Sequence, residues 1–111
     1  DRHSLCIQLA TAQVGLGQWQ EAVKQTLECK ALDARGTRLS IVGLITPFWD
    51  NKAQYQKGVR YFRALEPHWP NQWWVHRNWS NLNSRLGHKK LARKHRSIAK
   101  KLRGKEKKVA P

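Results

Sequence analysis

The chain has no Met and few acidic residues. Met is absent from all 111 positions, and because translation starts with Met, we expect the chain to be processed or to be a segment of a longer protein. Only 7 Asp and Glu stand against 22 Lys and Arg, which gives a formal net charge of +15 at pH 7. Such an imbalance favours polyanionic partners, namely nucleic acid, anionic lipid or an acidic protein surface, and does not select a fold.

The acidic residues are too scattered to suggest catalysis. They form no obvious pair for acid–base chemistry, and no nucleophile stands in a strand–turn–helix context. His88 and His95 are spaced to share a helix face, but no Cys or acid completes a metal set at a usable spacing. We therefore predict no catalytic residue, no metal site and no cofactor, and we interpret His95 as a partly buried structural residue.

Long apolar runs are also lacking, and Cys is rare. No stretch approaches the ~18 apolar residues of a membrane span, and the start of the chain lacks the apolar core of a signal peptide. Cys6 and Cys29 can in principle form a disulfide, but both stand where small or apolar residues recur in a helical pattern. Buried free thiols are the favoured interpretation, and they predict a reducing, cytoplasmic location.

An internal repeat is the most informative pattern that is present. Residues 15–32 have a counterpart in residues 85–102, at an offset of 70. The matched pairs are Leu16 and Leu86, Gly17 and Gly87, Ala22 and Ala92, Lys24 and Lys94, Lys30 and Lys100, and Leu32 and Leu102. Because this offset is about twice the 34-residue period of a helix–turn–helix repeat, the pattern predicts a repeat scaffold, a class that usually binds partners.

Helical spacing of apolar residues predicts two outer helix pairs. In the first pair, helices from about Ser4 to Leu16 and from Trp19 to Leu32 are separated by Gly17. Their expected packing stripes are Leu5, Leu9, Ala12 and Leu16, then Ala22, Val23, Thr26, Cys29 and Leu32. In the last third, the stripes are Val75, Trp79, Leu82 and Leu86, then, after Gly87, Leu91, Ala92, His95, Ile98, Ala99 and Leu102.

The middle third is less regular. Thr37 is the expected cap of a helix that Pro47 ends or kinks, because proline removes a backbone donor. The apolar face of that helix is Leu39, Val42 and Ile45. A further helix is expected from about Asn51 to Glu66, with one face formed by Tyr55, Gly58, Val59, Phe62 and Leu65.

Together, these landmarks resemble the tetratricopeptide repeat. The first unit matches at Leu9-Ala10, Gly17, Trp19, Glu21-Ala22 and the segment from Cys29 to Asp33. The last unit keeps Gly87, Ala92, Ala99 and Leu102 but has Lys89 for the usual aromatic; the middle unit keeps Tyr55, Val59, Phe62 and Pro70 but departs at Pro47. The resemblance implies an all-α, right-handed α-α superhelix of about three helix–turn–helix pairs (residues 3–36, 37–72 and 73–104) with a basic tail at 105–111. A plain helical bundle is the alternative.

In this family, the first helices of successive pairs line a concave groove that holds a peptide. The resemblance assigns seven residues to that groove: Ile7, Thr11, Trp74, Arg77, Asn78, Asn81 and Arg85. Asn can bond to a peptide backbone, and Arg can hold a carboxylate with two donors, so an acidic peptide is the expected partner. A solvated polar face is the alternative interpretation.

Half of the 22 Lys and Arg lie in residues 89–108. We predict an anion-binding surface formed by Lys89, Lys90, Arg93, Lys94, Arg96, Lys100, Lys101 and Arg103. A solvated last helix explains polarity but not the single sign of charge, because a cap made only for solubility would mix Glu with Lys. Trp69, Trp73 and Trp79 are expected to pack, whereas Trp74 is expected to be exposed; stacking of Trp74 on a nucleic-acid base is the less favoured alternative.

The sequence therefore predicts a non-catalytic protein–protein interaction scaffold that binds a peptide or acidic partner segment in a concave groove. One alternative is an RNA- or polyanion-binding assembly component that uses the basic last helix. The other is a repeat domain cut from a larger enzyme. The oligomeric state is left open.

Overall fold

The computed structural model describes residues 1–44 and 52–109, with side chains for residues 1–43 and 52–106. Over these ranges the chain forms six α-helices and no strand, which confirms the all-α prediction. The helices are α1 (Arg2–Gly15), α2 (Trp19–Leu32), α3 (Ala34–Leu44), α4 (Lys52–Leu65), α5 (Trp73–Arg85) and α6 (Lys89–Val109). Helix α6 continues through most of the expected tail. The expected break at Pro47 lies outside the described residues.

Two turns with the same geometry join α1 to α2 and α5 to α6. Gly17 and Gly87 adopt φ values of 77° and 81°, in the left-handed region that glycine enters without a Cβ clash. In each turn the residue after the glycine donates its N–H to a carbonyl five residues back, which is the bond of a Schellman motif. Both bonds measure 2.9 Å and join Gln18 to Gln13 and His88 to Asn83. The repeat predicted at an offset of 70 is confirmed at these turns.

Helices α1 and α2 are antiparallel and are joined by a disulfide between Cys6 and Cys29. The Cα atoms of the two residues are 5.7 Å apart, because a residue early in α1 faces a residue late in α2. Ala10 and Ala22 are also buried. The expectation of free thiols was wrong, since the small residues that allow two helices to approach closely here include both cysteines.

Helices α5 and α6 pack in the same way, with polar groups at the matching positions. The Ser80 hydroxyl donates to the Ala92 carbonyl at 2.6 Å, where the first pair has Ala10 and Ala22. His76 and His95 hold the positions of Cys6 and Gln25, and their Nδ1 atoms are 3.1 Å apart. Gln25 Nε2 lies 3.0 Å from Cys6 Sγ, so the two pairs make the same contact with different chemistry.

Helix α3 follows α2 with a single residue between them. The Asp33 carboxylate accepts a bond from the Gly36 N–H at 2.9 Å, which caps the first turn of α3. A Cβ at Gly36 would collide with that carboxylate. The expectation that Thr37 caps this helix was therefore wrong. The Thr37 hydroxyl donates to the Asp33 carbonyl at 2.8 Å and lies 2.9 Å from Nε2 of His3 on α1.

Helix α4 fills the centre of the molecule, in contact with α1, α2 and α5. Tyr61, Phe62 and Leu65 are fully buried in one core with Ile41 and Leu82. The Tyr61 hydroxyl lies 2.7 Å from the hydroxyl of Thr26 on α2. Burial raises the pKa of Tyr61 well above its usual value, so the phenol stays neutral and hydrogen-bonded.

The packing stripe predicted for α1 was wrong, whereas the matching stripe of α5 was largely right. The side chains of Leu5 and Leu16 are 64% and 72% exposed, and Leu9 and Leu32 are also exposed. The buried residues of α1 are Cys6, Ala10 and Val14. On α5, Val75 and Leu82 are buried because α4 and the segment that follows it cover that side. Among the described residues, nothing covers the matching side of α1.

The disulfide predicts a large redox effect on stability. Its sequence separation of 23 corresponds to about 3 kcal/mol of loop-closure entropy in the unfolded chain. We expect the Cys6→Ala, Cys29→Ala double variant to lose about this much free energy of unfolding, measured by urea denaturation. Reductant should lower the stability of the wild type towards that of the variant and leave the variant unchanged; equal stability of all forms would contradict the bridge.

The turn geometry predicts opposite effects of two Gly→Ala substitutions. Gly87→Ala should cost about 1 kcal/mol, because an L-residue is strained at positive φ. Gly104→Ala should instead stabilise the chain by about 0.5 kcal/mol, since Gly104 lies within α6 and a Cβ there meets nothing within 4 Å. Thermal unfolding followed by circular dichroism distinguishes the two, and an equal effect of both substitutions would refute the turn.

Candidate functional site

A groove of about 680 Å³ lies between α5 and α6. Its floor contains three small buried residues, Ser80, Ala92 and Ala99. Its walls carry six cations: Arg77, Lys89, Arg93, Arg96, Lys100 and Arg103. Asn81, Ser84 and Trp73 complete the lining, and none of the lining residues that the structure describes is acidic. We call this the basic groove.

Helical periodicity explains why the cations converge. On α6 they recur at i, i+4, i+7, i+11 and i+14, a spacing that keeps side chains on one face of an α-helix. At 1.5 Å per residue, this row is about 21 Å long. On α5, Trp73, Arg77 and Asn81 recur every four residues and face the row. Two antiparallel helices thus form the two walls of one positively charged channel.

The basic groove combines parts of both predicted sites. Five of the eight residues predicted to bind anions line it, while the other three, Lys90, Lys94 and Lys101, lie outside it. Of the predicted peptide-binding residues, Arg77 and Asn81 line it and Arg85 does not. Ile7 and Thr11 are half-buried on α1, where the Thr11 hydroxyl donates to the Ile7 carbonyl at 2.8 Å.

Trp74 and Asn78 had been expected to face a ligand, and both expectations were wrong. They are only 1% and 6% exposed, because α5 is covered on that side by the rest of the fold. The Trp74 ring packs edge-to-face on Trp69 at 5.2 Å, and its Nε1–H donates to Gln72 Oε1 at 3.1 Å. Trp74 therefore cannot stack on a nucleic-acid base.

At one end of the basic groove, two guanidinium groups contact the ring of Trp73. The guanidinium carbons of Arg103 and Arg38 lie 4.8 Å and 5.2 Å from the centre of the Trp73 ring, within the range of cation–π attraction. Arg38 also contacts the Glu106 carboxylate at 3.5 Å. Sequence analysis missed Arg38 because it lies on α3, far along the chain from α6.

A buried histidine pair lies between the two helices that form the groove. Trp79 stacks on His95 with ring centres 3.9 Å apart, and the Glu66 carboxylate is 4.0 Å from His76 Nε2. Since Nε2–H of His76 is favoured by that carboxylate, His95 Nδ1–H is the donor in the bond between the two rings. The burial expected for His95 is confirmed, whereas His76 was missed.

Burial sets the charge of this pair. It lowers the pKa of His95 to about 4, with further lowering from the nearby His76 and Lys94. Burial also lowers the pKa of His76, although Glu66 acts in the opposite direction. Both rings are therefore neutral at pH 7, and one of them has the unprotonated Nδ1 that the hydrogen bond between them needs as its acceptor.

The first helix pair has an equivalent of the basic groove, and helices fill it. At an offset of 70, Arg77, Arg93 and Arg96 correspond to Ile7, Val23 and Thr26. Thr26 is bonded to Tyr61 of α4, and His3, which corresponds to Trp73, is bonded to Thr37 of α3. The basic groove thus corresponds to the surface of the first pair against which α3 and α4 pack. On the third pair, cations stand at the matching positions.

Comparisons of the chain with protein-family models, curated proteins and solved structures give no match. Over residues 1–44 and 52–109, no helix combines the length and the apolar character needed to cross a bilayer. The function must therefore be argued from the basic groove.

The histidine pair predicts a loss of stability in mild acid. Because the pKa of His95 is about 4 in the folded chain against an ordinary 6.5, the unfolded chain takes up the proton first. The free energy of unfolding should be constant above about pH 6.5 and should fall as the pH drops towards about 4. Urea denaturation at a series of pH values measures this slope.

Two substitutions assign that slope. His95→Gln, which introduces the residue that the first pair has at the matching position, should weaken the pH dependence. His88→Gln should not, because His88 is exposed. The same slope in the His95→Gln variant as in the wild type would show that other groups control acid unfolding.

Proposed function

We propose that the chain is a non-catalytic, tetratricopeptide-like binding module that holds an acidic segment of a partner protein in the basic groove. The observation that carries the proposal is a channel whose walls, over the described part of the chain, carry six cations and no acid. Arg side chains bind carboxylates through paired donors, and a channel of one sign concentrates oppositely charged ligands. Asn81 and Ser84, which also line the channel, can bond to a peptide backbone.

The available aromatic surface favours a protein partner over a nucleic acid. Binding of single strands usually combines phosphate contacts with bases stacked on free aromatic rings. Trp73 is the one aromatic residue in the lining, and its ring already contacts two guanidinium groups. Trp69 and Trp74 are buried, and Trp79 stacks on His95. An acidic peptide needs no such ring.

A polar surface that serves only to solvate the last helix pair explains the groove less well than a ligand does. In a repeat array, a terminal pair needs a polar outer surface, and polar residues of both signs would provide one. Here Arg77, Arg93 and Arg96 stand at the positions of three uncharged residues of the first pair, Ile7, Val23 and Thr26. This replacement by one sign of charge supports a ligand.

The order of the helices supports the tetratricopeptide-like part of the proposal. The first and third pairs share their turns, and α3 packs against both α1 and α2, as the first helix of a following unit does in such an array. The disulfide removes the basis for a cytoplasmic location. Because structural disulfides persist in oxidising compartments, we propose that the module works in one.

A second candidate is an RNA- or polyanion-binding assembly component. It is favoured by the cations of α6 that lie outside the basic groove, Lys90, Lys94 and Lys101, which extend positive charge around the helix. Contacts with phosphates depend on this total charge and weaken steeply with salt.

Two double variants separate a specific groove from general charge. Arg93→Glu with Lys100→Glu alters the groove, and Lys90→Glu with Lys101→Glu alters the same helix outside it. Each double changes the net charge from +15 to +11. Fluorescence anisotropy with an oligoglutamate peptide should show about tenfold weaker binding, about 1.4 kcal/mol, for the first double. The second should stay within about twofold of the wild type.

The result that would contradict the proposal is equal weakening by both doubles, because binding would then follow net charge alone. Oligouridine of the same charge and label serves as the competing ligand at each salt concentration. If it binds more tightly than oligoglutamate at moderate salt, the RNA candidate replaces the peptide candidate. Circular dichroism checks that every variant remains helical.

A further inference from the structure

The outer side of the first helix pair is an exposed apolar surface. Its leucines are Leu5, Leu9, Leu16 and Leu32, all exposed. A shallow groove of about 500 Å³ lies between α1 and α2 on this side, with Arg2 and Glu28 among its lining residues. We call this surface the leucine face.

The third pair shows what such a surface normally meets. At an offset of 70, Leu5 and Leu9 correspond to Val75 and Trp79. Val75 is 0% exposed, against 64% for Leu5, and Trp79 is half-buried. On the third pair, α4 packs against α5 and covers this side. The leucine face therefore has the composition of a packed surface, yet none of the residues that the structure describes packs over it.

The charge distribution indicates which partner can cover it. Residues 1–33 carry the acids Asp1, Glu21, Glu28 and Asp33 and the cations Arg2, Lys24 and Lys30. Their net charge is −1, which leaves +16 for the rest of the chain. Two copies of this chain can thus approach through their first pairs without strong repulsion, whereas an approach of residues 34–111 of one copy to the same residues of the other brings like charges together.

The basic groove of one copy cannot cover the leucine face of another. Burying the six cations of the basic groove against leucine would leave charges without partners, which is costly. Head-to-tail growth is therefore disfavoured. The leucine face of one copy pairs instead with the leucine face of another, as in a two-fold interface.

We propose that the chain forms a two-fold dimer through the leucine face. With the axis parallel to the helices, α1 of one copy lies over α2 of the other. Arg2 then meets Glu28 of the partner subunit, since both residues line the groove on this face. The dimer does not depend on what the basic groove binds, and it holds the two basic grooves apart at its outer ends.

Sedimentation equilibrium between micromolar and millimolar protein tests the dimer. The wild type should be a reversible dimer, and Leu9→Lys should make it a monomer over the same range. Leu39→Lys is the matched control, because Leu39 is also exposed, at 65%, but lies on α3; this variant should remain dimeric. A monomeric wild type, or equal effects of the two substitutions, would overturn the proposal.

A charge swap tests the arrangement. Arg2→Glu and Glu28→Arg should each weaken dimerisation by up to about tenfold. The two substitutions together should restore it, because an ion pair with its charges exchanged then forms between the copies. Isotope-filtered NMR should show contacts between leucine methyl groups of different copies. Contacts through another surface would rule the dimer out. So would a wild type that stays monomeric and binds anionic vesicles in a sedimentation assay, with binding that depends on Leu9.

Discussion

The close approach of antiparallel helices is the constraint on which the rest of this structure depends. Small residues at the crossing, and a glycine in the left-handed region between the helices, allow two backbones to lie side by side. Once this geometry is set, each pair has two flanks. One flank of the first pair receives α3 and α4, and one flank of the third pair receives α4. The two flanks left over are the leucine face and the basic groove.

The helices could largely be predicted from the sequence, because their signals are local. Apolar spacing and the glycine breaks gave α2 the bounds found here and α4 bounds within one residue. Which side of a helix is buried is not a local property. The pattern in α1 and α5 is the same, yet Leu5 is exposed and Val75 is buried, because only one of them has a neighbour.

The candidate site could be predicted in part, for the same reason. The cations of α6 were visible as a run, but they surround the helix, and only the position of α5 selects the five that face a channel. Trp74 and Asn78 were misassigned because they lie on a covered flank of α5. The disulfide was missed since small and apolar spacing describes a paired cysteine as well as a free one. Nothing in the sequence marked His76, because its contact with His95 forms only when α5 and α6 pack together.

The two outer helix pairs of this molecule are held together by different means, so they need not open together. A covalent bridge holds α1 to α2, whereas two uncharged rings and a hydroxyl join α5 to α6. Partial opening in folded proteins tends to begin where the local free energy is lowest. The two outer pairs can therefore open under different conditions, since one contact depends on redox state and the other on pH. Protonation of the histidine pair would weaken the contact between the two helices that form the channel, whereas the disulfide between α1 and α2 does not titrate.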